Sequence, residues 1–283
     1  MVKYIYTLMM ACLAINMAIA QKNSGATDDD GPDDPYEVKS YFMFGLNYVN
    51  NNVYLGRKDT VTIPYISPCI GYHYKNGLYA KAMVSEAPAQ GTLDLLTLEA
   101  GYDHTFSDHL NGGLNIDKFY YNKNSTSIRA TTKGSAGING QYTNDWIEPQ
   151  ITFNADFNKS TDYVLSLLLD HNFRYKEKTL NIFPAVSVNI GTQHYYDEYF
   201  INRLLKKDKA LKLKKVVANA GNFVPLDYEV SSKITYRVTK WLFTLIPTYA
   251  IPLSPASITL PGQKTFREKL SNTFYMELDI CHR

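Results

Sequence analysis

The residue types that could do chemistry are few and scattered. The chain has six histidines, His73, His104, His109, His171, His194 and His282. His194 stands near acids, in the run Gln193-His194-Tyr195-Tyr196-Asp197-Glu198. An imidazole beside carboxylates can act as a general base, but a base needs a nucleophile to activate. No serine can be assigned to it from spacing. No nucleophile elbow, phosphate-binding glycine loop or zinc-ligand pair stands out. The sequence therefore predicts no catalytic residue, no bound metal and no cofactor, and it reads as a non-enzyme. Asp28-Asp29-Asp30-Gly31 has a trace of calcium-loop spacing but lacks the distal Glu that closes an EF-hand.

The remaining charges are more orderly. One group is a basic span between Tyr199 and Asn222, with Arg203, Lys206, Lys207, Lys209, Lys212, Lys214 and Lys215 among leucines. Its spacing is compatible with a short amphipathic helix, and it is expected to form a mouth loop over 197–225. The other group alternates with apolar residues. Tyr228, Val230, Ile234, Tyr236 and Val238 interleave with Asp227, Glu229, Lys233 and Arg237. Phe274, Met276, Leu278 and Ile280 interleave with Glu277 and Asp279, and Ile147, Ile151, Phe153 and Phe157 with Glu148, Gln150, Asn154 and Asp156. A period of two belongs to a β-strand whose two faces meet different surroundings.

About twelve such strands can be placed, at 39–54, 60–74, 77–86, 92–106, 109–121, 129–143, 145–157, 161–176, 179–196, 226–239, 240–252 and 267–281. Alternate junctions are tight, at 75–77, 107–108, 143–145, 176–178 and 238–240. The others are mostly longer. Aromatic residues flank the tight turns: Tyr72 and Tyr74, Tyr102 and Phe106, Tyr142 and Trp146, Phe173 and Tyr175, Tyr236 and Trp241. Short turns at one end, longer loops at the other and an aromatic girdle are the pattern of an all-β transmembrane antiparallel barrel. Apolar faces then meet lipid, because Arg or Lys at the membrane midplane costs roughly 2–4 kcal/mol. The polar faces give the candidate lumen residues Lys81, Glu99, Asp103, Lys133, Glu148, Asp156, Asp170, Arg174, Asp227, Glu229, Lys233, Arg237, Glu277 and Asp279, an interior expected to be narrow and balanced in charge. Pro149, Pro184 and Pro247 fall just past tight turns and are expected to form bulges.

The N-terminus fits export. Lys3 precedes an apolar stretch from Ile5 that closes with Ala18-Ile19-Ala20, so 1–20 is expected to be a signal peptide. Residues 21–38 form an acidic, Pro/Gly-broken leader expected to be disordered, and 39–283 form the barrel. A net charge of +2 gives no argument for nucleic acid. Cys69 and Cys281 are expected not to pair, because the first strand lies between theirs and two strand spacings exceed disulfide reach.

The stretches Gly71-Tyr72-His73-Tyr74-Lys75-Asn76-Gly77-Leu78-Tyr79, Ala100-Gly101-Tyr102-Asp103 and Ile182-Phe183-Pro184-Ala185-Val186-Ser187-Val188-Asn189-Ile190-Gly191 resemble outer-membrane β-barrel proteins of the Bacteroidota type. The resemblance implies a place in a bacterial outer membrane, contact with its lipid and lipopolysaccharide, and insertion by the barrel-assembly machinery. Such barrels commonly end in an aromatic residue, whereas this chain ends Ile280-Cys281-His282-Arg283. With an even strand count both termini would be periplasmic. Twelve strands suit a narrow or gated passive channel for small solutes. A structural or partner-binding barrel without transport and an outer-leaflet lipid hydrolase are the alternatives.

Overall fold

The computed structural model describes residues 39–58, 62–88, 91–175, 179–207, 217–259 and 264–283, without the side chains of 203–207 and 266. The expected signal peptide and acidic leader lie outside the described residues. Ser40–Arg283 is one compact unit. Its strands are β1 (Tyr41–Val49), β2 (Tyr65–His73), β3 (Leu78–Ala87), β4 (Thr92–Thr105), β5 (Leu110–Tyr121) and β6 (Gly134–Tyr142). They continue with β7 (Glu148–Phe157), β8 (Asp162–Asp170, resumed at Phe173–Tyr175), β9 (Leu180–Gly191), β10 (Val224–Val238), β11 (Trp241–Pro252) and β12 (Thr273–His282). Each pairs antiparallel with its neighbours in sequence, and β12 pairs with β1. The sheet is a closed twelve-stranded up-and-down barrel with no free edge.

Closure follows from the alternation. Residues directly opposite one another in neighbouring strands share a face, as Gly45 does with Cys69 and Cys281, and this pairing carries each face right round the ring. The outer face carries Phe42, Leu46, Ile116, Ile138, Ile151, Leu169, Val230 and Phe274, all exposed. At the turn end Tyr74, Phe106, Trp146, Tyr175 and Trp241 stand exposed as a ring. Such surface is suited to lipid and its headgroup boundary. Among the described residues no helix is long and apolar enough to cross a membrane.

The prolines do not form bulges. Pro184 sits in register opposite Ser232 and Pro247 opposite Met276, and the register shifts fall instead at Ser85/Glu86 and Asn189/Ile190. Proline lacks a donor, so its effect here is a missing bond. The β10–β11 pairing skips Ser232 and Lys233 beside Pro247, and β8 pauses at His171–Asn172 opposite Pro184.

Several strand limits also differ from expectation: β1 ends at Val49 rather than 54, β2 begins at Tyr65 rather than 60 and β12 at Thr273 rather than 267, and two further differences have a visible cause. Strand β9 ends at Gly191, and helix α1 (His194–Lys207) begins where strand had been expected to run to 196. Strand β6 begins at Gly134 rather than 129, because 127–132 turn back on themselves through Ala130 N–H to Ser127 O and Thr132 N–H to Arg129 O.

Candidate functional site

The larger of two buried apolar clusters among the described residues lies in the loops. Leu55, Ile128, Tyr195, Tyr196, Val217, Ala220, Ala256 and Ile258 come from four loop-end connections and pack with Val164 and Leu226 of the strand ends. The first contributor is a small hairpin, Val53–Tyr54 paired with Arg57–Lys58. Its tip has Leu55 and Gly56 at positive φ, 48° and 71°. A Cβ at Gly56 would stand 2.9 Å from Asp227 Cβ, so only glycine lets the tip press against the barrel wall. The loops fold inward and together form a cap at the mouth.

Four buried aspartates on the wall hold this cap. Asp94 accepts hydrogen bonds from Tyr65 Oη (2.7 Å) and Ser125 Oγ (2.9 Å). Asp156 accepts from Tyr54 Oη and pairs with Arg129 at 3.3 Å. Asp162 takes the start of α1: Thr192 Oγ1 (2.7 Å), His194 N–H (2.6 Å) and Tyr195 N–H (2.7 Å) all donate to it. A carboxylate at a helix N-terminus satisfies donors that the helix leaves unpaired and complements its dipole. This is why 192–196 turn into helix rather than extending β9. Asp227, held by Asn189 Nδ2 at 2.7 Å, backs the hairpin tip. Arg57 reaches over the hairpin to Ser254 O (2.5 Å) and Glu268 (3.3 Å), binding the first loop to the last. Burial raises the Tyr195 phenol to about 12, against the pull of the Arg57 guanidinium. Burial and the adjacent Glu268 carboxylate raise Tyr196 further.

Below the cap the interior is polar. Lys81 and Glu99 pair at 3.6 Å. Asn47 Nδ2 donates to both Glu277 (2.7 Å) and Asp279 (2.8 Å), and Tyr275 Oη to Glu229 (3.1 Å). Glu148 accepts from Gln141 and Asp170 from Gln150. Asp103 stands exposed on the same face at the turn end, and Lys233 lies over the Phe183 ring at 4.4 Å. Arg174 faces inward opposite Asn181, and Arg237 shares the face of Thr235. Lys133 is the exception: it is exposed in the loop before β6, outside the strand expected to carry it. The interior is also not balanced in charge. With Asp117 and Asp162 added, the inward acids outnumber Lys81, Arg174, Lys233 and Arg237.

Of the basic mouth residues, Arg203, Lys206 and Lys207 fall on α1, while Lys209, Lys212, Lys214 and Lys215 lie outside the described residues. His194 opens α1 rather than sitting on a strand at the rim. Among the described residues its imidazole hydrogen-bonds to no serine and no carboxylate, and no group of three or more His, Cys, Asp or Glu is placed to hold a metal. Arg57, Arg129, Asp94, Asp162 and Tyr54, which build the cap, were not singled out in the sequence. Only inward parity next to a loop could have marked Asp162.

No family model matches the sequence, and neither does any curated protein. Solved structures do match. The KdgM porin aligns over 85% of this chain and 98% of its own at 9% identity, with a TM-score of 0.50. The NanC porin (10% identity, 86% and 100% covered) and LpxR from Salmonella typhimurium (9%, 85% and 99%) align at TM-scores of 0.46 and 0.45. The likeness to KdgM is one of architecture: the chain has the closed twelve-stranded antiparallel fold of an outer-membrane barrel.

Proposed function

We propose that this protein is an outer-membrane channel for small solutes, with its turn end in the periplasm and its loop-end mouth closed by its own cap. The observation that carries the reading is how the cap is fastened. It is attached to a polar interior by side-chain contacts to Asp94, Asp156, Asp162 and Asp227, and among the described residues no loop strand joins the barrel sheet. Side-chain attachments can be released without breaking the barrel. The apolar outer belt is suited to contact with membrane lipid and lipopolysaccharide.

A barrel without transport is the second reading, favoured by the apolar packing of the cap around Tyr195 and Val217, both almost fully buried. Planar-bilayer recording of the refolded chain separates the two. A channel gives rare or small openings in the wild type and frequent ones in Asp156→Asn. Silence of both proteins rejects transport.

A further inference from the structure

We propose that the lumen wall at the turn end holds a binding site for a small solute bearing a carboxylate or phosphate group. A cavity of about 670 Å³ lies there against β8, β9 and β10. Its floor is made of short polar side chains in adjacent strands. Asn181 lies opposite Thr235, and Thr179 O accepts the Arg237 N–H at 2.8 Å. Two long cations flank this floor: Arg174, opposite Asn181, on one side and Arg237 on the other. Phe183 closes the inner edge, with the Lys233 ammonium over its ring. The cavity is thus lined by hydrogen-bond donors and two guanidinium groups, and by no acid among the described residues.

The state of the cations at this end differs from that of the cations nearer the cap. Lys81 pairs with Glu99, Arg57 with Glu268 and Arg129 with Asp156. Arg174 and Arg237, like Lys233 beside them, have no ion pair among the described residues, although the interior as a whole is rich in carboxylates. A planar guanidinium presents paired donors that match the two oxygens of a carboxylate or phosphate. Two of them across a polar floor favour an anion over a neutral solute. The site opens at the turn end, away from the cap, so its occupancy is measurable whether or not the barrel conducts.

Isothermal titration calorimetry on the refolded full chain in detergent tests this with inorganic phosphate, citrate and glucose as probes. The expected result is binding of phosphate or citrate without binding of glucose. The stronger anion shows which group the site prefers. Affinity should fall at least tenfold in the Arg174→Gln/Arg237→Gln double variant and stay within twofold in Lys81→Gln. Both arginines are exposed, so the double variant should keep the circular dichroism of the wild type. The proposal is overturned if neither anion binds, or if the double variant binds as tightly as the wild type. An equal loss in Lys81→Gln also overturns it, since that marks a diffuse charge effect.

Discussion

Arg129 places one terminal nitrogen 3.3 Å from each carboxylate oxygen of Asp156, joining a loop to the inner barrel wall. Tyr54, from another loop, donates to the same carboxylate. Removing one partner of a buried pair leaves the other charge uncompensated, at about 3–5 kcal/mol. Asp156→Asn should sit near the low end, about 3 kcal/mol, because the Arg129 side chain is still 24% exposed. The cost should fall on the cap alone. Limited proteolysis should cut the 122–133 and 50–64 loops faster, while the strand signal in circular dichroism holds. Equal cleavage of wild type and variant would show that the pair does not fasten the cap.

How much of this was legible in the sequence follows from the range of the interactions. Alternation is local, so the twelve strands, four of the five tight turns and the inward placing of Glu277 beside Asp279 were readable from neighbours two residues apart, the turn at 176–178 lying outside the described residues. The cap is different. Arg57 meets Glu268 across 211 positions and Tyr54 meets Asp156 across 102, and no period records such pairs. The strand-to-helix change at 192–194 was hidden for the same reason. It depends on Asp162, 32 positions upstream of His194 and on the adjacent strand.

That dependence on Asp162 is measurable. Asp162→Ala removes the acceptor for Thr192 Oγ1, for the N–H groups of His194 and Tyr195 and for Asn158 Nδ2. Loss of a helix cap costs up to about 2 kcal/mol, and the stranded buried donors add to it. Amide exchange in 195–200 should accelerate at least tenfold. Asp162→Asn keeps an acceptor oxygen and should restore much of the protection. If both variants exchange like the wild type, the helix is held by packing instead.

Cys69 and Cys281 flank Gly45 from either side, each directly opposite it in its own strand pair. Both are free thiols. The two intervening strand spacings amount to roughly 10 Å, so oxidant should not join them, and Cys69 and Cys281 should each take up one maleimide after unfolding. A Cβ at Gly45 would stand 2.8 Å from Cys69 Sγ. Gly45→Ala should therefore cost about 1–3 kcal/mol in thermal unfolding. Pairing it with Cys69→Ala should recover most of that loss. A stable single variant would mean that the thiol turns aside freely.

Tyr195 gives the cap a dependence on alkaline pH. Its phenol is pushed up to about 12 by burial, whereas in an unfolded chain it titrates near 10. Below pH 10 it is protonated in both states, and its burial carries no ionisation cost. Between about 10 and 12 the unfolded or opened form releases the proton while the packed form retains it. Stability therefore falls as pH rises through that window, by on the order of 2–3 kcal/mol for a shift of this size. Near-ultraviolet circular dichroism should show the cap tyrosines loosening above pH 10, before the strands themselves are lost. The Tyr195 hydroxyl makes no well-aligned hydrogen bond among the described residues, its polar neighbour being the Arg57 guanidinium. Tyr195→Phe should accordingly keep the cap closed at neutral pH and move its loosening to higher pH. Loosening at the same pH in that variant would assign the transition to a different group.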